Sequence, residues 1–539
     1  MADIVASTTL GSAWDAAVRL GGDRPWLVYL PVHGERMEYT YAQFNVRVTR
    51  ALACFSARGI TKGTVVAIQL RNSPEFIATL LALAKLGAVS VPLGLGLTAA
   101  ELLSLYLRCQ AEWAVVDLET AEMNEAVHAE YGVLPGGVIR THCDGTEQFE
   151  VPSQDQPAEV SPNPVHSEVS SNQVHGDVSA NQVHGEVSAN QVRSDDVAEV
   201  MYTSGTTAEP KGVLVTHANM VYSGHYATWQ CSLRPYDRIF TTMPACHSNF
   251  QLVALTGAIV AGSALVLCEH YSAHRFWHDV QEEHATVIQL TAMMVRTMLM
   301  QPVVVHEKRH TVRECLYFMP LSNEDKTAFE QRFGVRLMNS YGSTETICWV
   351  VTDPPQGERR WPSVGRAGLG YDVAIVDAAG NPLGPRQAGE FWVRGVRGRT
   401  LMAGYLDDPE ATAAAFGQDG WMHTSDTGFY DEDGWFYFLD RSRNVIKRAG
   451  QNISASEVEA VLNSHPLIQE AAVIGVPDPV RDEAIKAFIQ LMPDADLSTD
   501  QVDAYCRAQL APYKVPQFVE FVTEFPRTSS MKIEKRSLN

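Results

Sequence analysis

The runs VVAIQL (65–70), SPEFIATLLALAKLG and AVSVPL follow one another almost without a polar break. Short apolar runs that do not alternate read as strands buried on both faces, and the longer segment between them reads as a helix. Ser73 is placed to cap that helix, Pro74 suits its first turn and Gly87 stops it. Lys85 and Pro92 interrupt the apolar window from Phe76, so it falls short of the roughly 20 residues that a membrane span needs. The same alternation returns in GSALVLCEH, FWHDVQEEHA and TVIQL between 262 and 290. The predicted fold class is therefore α/β, with largely parallel sheets layered with helices.

After about residue 386 the texture changes to short strands such as EFWVRG and DEDGWFYFLDR, the latter with a turn at Asp433-Gly434. That predicts a β-rich subdomain closing a large domain of residues 1–439. A compact α+β tail, 440–539, follows as a small C-terminal domain. In the tail, Ser456 with Glu459 and Ser498 with Gln501 read as capping boxes. Two domains also suit the length of 539 residues, more than one core usually serves. A net charge of -21 argues against nucleic-acid or anionic-membrane partners. The N-terminal stretch lacks the pattern of a signal peptide, and nine dispersed cysteines without a CxxC pair suggest reduced thiols, so a cytoplasmic setting is expected.

Four nonapeptides, EVSPNPVHS, EVSSNQVHG, DVSANQVHG and EVSANQVRS, fill residues 159–194. They are few for a solenoid and lack a Ca²⁺-binding pattern. His166, His175 and His184 recur nine apart, but Arg193 breaks the series. Val is the only regular apolar residue, so the segment is expected to be a duplicated surface linker.

Directly after it, the apolar AEVMY and GVLVT flank TSGTTAEPKG. The small residues let backbone N–H groups approach an anion, while the hydroxyls and Lys211 add donors and charge, which suits a polyphosphate. The spacing is not that of a Walker A loop, and a strand rather than a helix is expected next. By composition alone an ordinary Ser/Thr/Gly surface loop remains an equal reading.

The chain resembles the adenylate-forming superfamily of acyl-CoA synthetases, peptide-synthetase adenylation domains and luciferase. The motifs occur in order as TSGTTAEPKG at 203, YGSTE at 341, HTSDTGFYDEDGWFYFLDR at 423, NVIKRAGQNISASEVE at 444 and PRTSSMKIEKRSL at 526. The resemblance implies a phosphate-binding loop for ATP at Thr203, Ser204, Gly205, Thr206, Thr207 and Lys211. It implies Tyr341 and Gly342 at the adenine, and Thr344 and Glu345 at the α-phosphate, with Thr207 and Glu345 toward Mg²⁺. It further implies Asp426 and Arg441 at the ribose, Asp440 as the hinge of a mobile small domain, and Lys532 bridging the acid and ATP. Lys447 and Gly450 lie in the loop that the family brings in for the second, coenzyme A-dependent step. Each of these taken singly has an ordinary structural reading; the ordered set is what favours function.

Between motifs, ATWQCSLRPYD, YSAHRFWHDVQEEHATV, MMVRTMLMQP, RRWPSVGRAG and RDEAIKAF are most similar to bacterial crotonobetaine/carnitine-CoA ligases. A trimethylammonium group donates no hydrogen bond, so aromatic faces or a carboxylate are expected around it. His247, Phe250 and Trp349, with Trp229, are the pocket candidates; His247 reads equally as a buried histidine, and each aromatic taken alone reads first as core. Ser425 and Met531 stand where the family has glycine, and FMPLS stands where it has a glycine-rich adenine segment, implying altered loop geometry. The implied function is an ATP-dependent acid-thiol ligase for a small carboxylate, its partners being the acid, ATP and coenzyme A. The alternatives are a short- or medium-chain fatty acyl-CoA synthetase, a carrier-protein loading enzyme, a luciferase-like monooxygenase, and a catalytically impaired nucleotide-binding regulator.

Overall fold

The computed structural model describes residues 5, 7–143, 149–150, 191–203, 210–318, 321–417, 420–441, 445–492, 495–526, 533 and 535–538. The repeats up to Asn190, the loop residues Ser204, Gly205, Thr206 and Thr207, and Met531 and Lys532 lie outside the described residues. Among the described residues the chain builds four sheets. A nine-stranded sheet carries Leu337–Tyr341, Glu314–Phe318, Val287–Thr291, Arg238–Thr241, Ala264–Cys268 and Pro25–Leu30 as parallel neighbours. An eight-stranded sheet carries Val197–Thr203, Val89–Pro92, Val65–Gln69, Trp113–Asp117 and Gly137–Thr141 in parallel.

Side-chain alternation along the eight-stranded sheet splits it between two cores. Val66, Ile68, Val115, Ile139, Met201 and Val213 join Leu27, Val28, Leu265 and Val266 of the nine-stranded sheet in one cluster. Their neighbours Ala67, Ala114, Val116, Val138 and Val200 pack on the far side with Leu102, Leu105 and Tyr106. The first cluster is filled by helices, above all Pro74–Leu86, whose residues are buried from Pro74 to Ala84, and His217–Gln230. Such helices need apolar residues on every side, which is why SPEFIATLLALAKLG lacks a polar stripe. Ser73 accepts from Phe76 N, and Gly87 closes the helix at φ 73, as expected.

The β-rich subdomain is an antiparallel sheet of Asp372–Val376, Gly389–Arg394, Trp421–Tyr430 and Phe436–Arg441. The tail builds its own sheet from the hairpin Val445–Arg448 and Gln451–Ser454, the long hairpin Ile468–Asp478 and Asp482–Leu491, and Phe518–Phe521. Its core is separate and includes Ile453, Val458, Val473, Ile485 and Cys506.

The Ser498–Gln501 capping box is present, whereas Ser456, expected as a cap, falls inside helix Ala455–Asn463 and not at its N-cap. Helix Ala455–Asn463 is capped by Ser454, whose hydroxyl accepts from Glu457 N at 3.3 Å. Ser454 ends the strand in extended backbone, the conformation a cap requires, and Glu459 instead accepts from Val473 N. Among the described residues no helix is long and apolar enough to cross a membrane. Replacing Leu81, fully buried in the inter-sheet helix, by Ala is expected to cost about 2–5 kcal/mol. Denaturant unfolding followed on the large domain's tryptophans measures it.

Candidate functional site

The parallel strands of both large sheets end at one cavity of about 1380 Å³. Thr203, Thr242, Thr291, Phe318 and Tyr341, at or just beyond the carboxyl ends of their strands, all line it. In open α/β sheets this is where ligands bind, because successive strands end there and their loops splay apart. The tail contributes Lys447, Gly450 and Gln451 to the same cavity.

A first group, Lys211, Tyr405 and Glu345, meets at the end of the 204–209 loop. Thr203 and Lys211 are paired partners across that loop, and a strand, Lys211–Thr216, does follow it. The short strand Gly404–Tyr405 pairs with Lys211–Thr216. This brings the Tyr405 ring 4.9 Å from the Lys211 ammonium and lets its hydroxyl donate to Glu345 at 3.2 Å. Met402 N holds the Glu345 carbonyl from the same segment. Thr344 lines the cavity beside it. Gly342 is required by packing, since a Cβ there would lie 2.5 Å from the Cys348 carbonyl oxygen.

A second group forms around Asp426, which is buried in the long strand Trp421–Tyr430. The Tyr341 hydroxyl donates to its Oδ2 at 2.7 Å. The Tyr341 ring lies 4.8 Å from Phe391 and 5.7 Å from Phe438, and the Lys447 ammonium sits 4.5 Å from the Phe438 ring. The backbone of Arg441 pairs opposite Asp426, and that of Asp440 opposite Thr427. Ser425 has φ 61, the left-handed region that favours glycine, and its N–H donates to Glu390 at 2.8 Å. The serine thus sits in a conformation that glycine adopts at lower cost.

The third group is the wall that faces the small domain. His247 lines the cavity, and the Gln451 amide donates to its Nε2 at 3.0 Å. Burial pushes the imidazole below its ordinary value, so it is neutral near pH 7, with its proton on Nδ1. Cys246, its neighbour, also lines the cavity, and burial pushes its thiol up to about 12. Trp349 stacks on Phe318 at 5.1 Å and 26°, and both line the cavity with Trp361. Phe250 is not brought there: it is fully buried in the π-helix Asn249–Leu255, edge-on to Phe76 at 6.2 Å. Trp229 packs on Tyr226 against the core instead. Sequence reasoning missed Tyr405, Gln451, Phe318 and Trp361. Gln451 stood inside the quoted NVIKRAGQNISASEVE, Trp361 inside RRWPSVGRAG and Phe318 at the start of FMPLS, but none was singled out; Tyr405 lay in no quoted segment.

The sequence pattern of the AMP-binding enzyme family matches residues 14–406, and that of the AMP-binding enzyme C-terminal domain matches 457–532. A crotonobetaine/carnitine–CoA ligase of Salmonella paratyphi C is 39% identical, covering 99% of this chain and 100% of its own. An o-succinylbenzoate CoA synthetase from Bacillus subtilis is 25% identical over 98% of both chains. Its TM-score is 0.81 as a double mutant bound with a product analogue and 0.65 in complex with AMP. An amide bond synthetase from Marinactinospora thermotolerans, 24% identical over 98% of both chains, shares the fold with a TM-score of 0.80.

Backbone strain at Ser425 sets a test. Ser425→Val is expected to destabilise by about 1–3 kcal/mol, as a β-branched side chain resists that conformation. Ser425→Gly should stay within about 1 kcal/mol of the parent. Thermal melts of the three proteins compare them.

Proposed function

The chain belongs to the AMP-binding enzymes, the adenylate-forming superfamily, as an AMP-forming acyl-CoA synthetase; from that premise we propose that its acid is a small trimethylammonium carboxylate of the crotonobetaine, carnitine and γ-butyrobetaine class. The observation that carries this is the stacked Phe318–Trp349 pair on the cavity wall, with Trp361 on the same lining. The Lys326 ammonium lies 5.9 Å from the Trp361 ring, so the Phe318–Trp349 pair, not Trp361, is the face offered to the cation. Aromatic faces attract a quaternary ammonium, and a lysine or arginine beside them would repel it. The full-length likeness to the Salmonella ligase supports the same class.

In the first half-reaction a carboxylate oxygen attacks the α-phosphorus of ATP, forming the acyl-adenylate and releasing pyrophosphate. Anion meets polyanion, so charge neutralisation is the main demand. Lys211, oriented by Tyr405, and Lys532 serve it, while Asp426 accepts from the ribose hydroxyls. Among the described residues no three His, Cys, Asp or Glu gather as a metal site. Glu345, expected with Thr207 toward the metal, suits Mg²⁺, which is commonly held by one or two carboxylates together with nucleotide phosphates and water. When bound, the ion adds positive charge at those phosphates.

In the second half-reaction the coenzyme A sulfur attacks the acyl carbonyl, AMP departs with the bonding electrons and the thiol proton is lost. The hairpin carrying Lys447, Gly450 and Gln451 then belongs in the cavity, where it stands here. The closer match to the product-analogue complex of the Bacillus enzyme supports reading this arrangement as the thioester-forming one. Rotation of the small domain about Asp440 would exchange that hairpin for Lys532.

Two outcomes are expected. In pyrophosphate-release assays with coenzyme A, crotonobetaine should exceed its uncharged isostere 5,5-dimethylhex-2-enoate by about tenfold or more in kcat/KM, and Trp349→Leu should remove most of that margin. Equal or better turnover of the isostere, butyrate or hexanoate refutes the substrate class. Lys532→Ala should lose adenylation by about 100-fold or more yet convert supplied acyl-adenylate to thioester nearly as the parent does. Equal loss of both half-reactions would contradict that role.

A further inference from the structure

The small domain is tied to the large one by two partly buried ion pairs, Lys514–Glu101 and Arg296–Asp482, whose residues lie outside the signature motifs. Lys514, in the short 3-10 turn Pro512–Lys514, places its ammonium 2.8 Å from Glu101 Oε1 and 2.7 Å from Glu457 Oε1. The three side chains are 9%, 12% and 13% exposed. Glu101 belongs to the large domain's helix Ala99–Cys109, where its other oxygen completes the capping box with Thr98. Glu457 occupies the same third position in the small domain's helix Ala455–Asn463. One lysine therefore joins the first turns of two helices from two domains. Elsewhere Arg296, on the large domain's helix Ala292–Leu299, meets Asp482 at 2.6 Å, at 17% and 10% exposure. Asp482 turns the small domain's long hairpin and pairs directly with Arg448 of the hairpin that enters the cavity.

The two ties differ in what they hold. Helix Ala99–Cys109 packs on the eight-stranded sheet, whereas Ala292–Leu299 directly follows a strand of the nine-stranded sheet. A single tie would leave the small domain free to pivot about it; two on separate supports do not. Partly buried pairs of this kind resist separation, because parting them leaves desolvated charge until both sides reach water. We propose that Glu101, Lys514 and Glu457 together with Arg296 and Asp482 are positioning residues of the thioester-forming half-reaction, holding the 445–454 hairpin against His247. The proposal rests on the two-step reading above: rotation toward adenylation has to break both ties.

The test uses the full-length Glu101→Gln/Arg296→Met enzyme. Glutamine keeps the helix cap, since it serves a capping box as glutamate does, and removes only the charge. Conversion of supplied acyl-adenylate to thioester should fall about tenfold or more with a raised KM for coenzyme A, while ATP–pyrophosphate exchange stays within about twofold of the parent. Exchanging the second pair, as Arg296→Asp/Asp482→Arg in an otherwise parental chain, should restore most of the thioester rate that Arg296→Asp alone loses. Hydrogen exchange over 445–454, which requires no substrate, should speed up about tenfold in the double variant, with the strands 197–203 and 287–291 unchanged. Unaltered exchange in the hairpin, or equal decline of both half-reactions, overturns the proposal. Absence of pyrophosphate release with every acid overturns the substrate reading instead, and hydrogen exchange still decides this one.

Discussion

A helix with apolar residues on every side is stable only where every side is covered, and here that requires two sheets. Pro74–Leu86 and His217–Gln230 lie between them, and the two sheets share one core through these helices. Because both sheets clamp the same layer, the ends of their parallel strands open on one cavity instead of two. Thr203, on the strand Val197–Thr203, comes from one sheet, and Phe318 and Tyr341 from the other. A nucleotide and an acid can therefore meet only because the helix layer fixes the spacing of strands that are never hydrogen-bonded to each other.

Around that rigid centre the polar groups are supplied by less regular pieces. Tyr405 stands on a two-residue strand, Asp426 on the antiparallel subdomain, and Gln451 on the tail. Each reaches a partner from a different element: Glu345, Tyr341 and His247 respectively. The site is thus a junction whose geometry depends on how four sheets are set against one another.

That division explains what the sequence discloses. Strands, caps and inter-sheet helices rest on local patterns, so Ser73, Gly87 and the Ser498 box were legible directly. Signature motifs led to Tyr341, Gly342, Glu345, Asp426, Lys447 and Gly450, all of which line the cavity. Phe250 was misplaced because it follows His247 by three residues, inside a π-helix whose wider turn directs it to Phe76. No periodicity predicts that rotation. Ser454 outcompeted Ser456 because strand pairing, a tertiary matter, decides where the helix begins. Phe318 and Trp361 were missed since aromatic residues at strand ends and in loops look alike whether they face a core or a cavity.

Cys246 gives the arrangement a chemical consequence of its own. An acyl-adenylate is built to react with sulfur, and a cysteine on the wall of the same cavity is a rival nucleophile far more concentrated than any diffusing thiol. The nucleophile is the thiolate, and burial that raises the Cys246 thiol well above its ordinary value keeps it protonated at pH 7. A sulfur can thus stand on the cavity wall without competing with the incoming thiol, because it stays protonated.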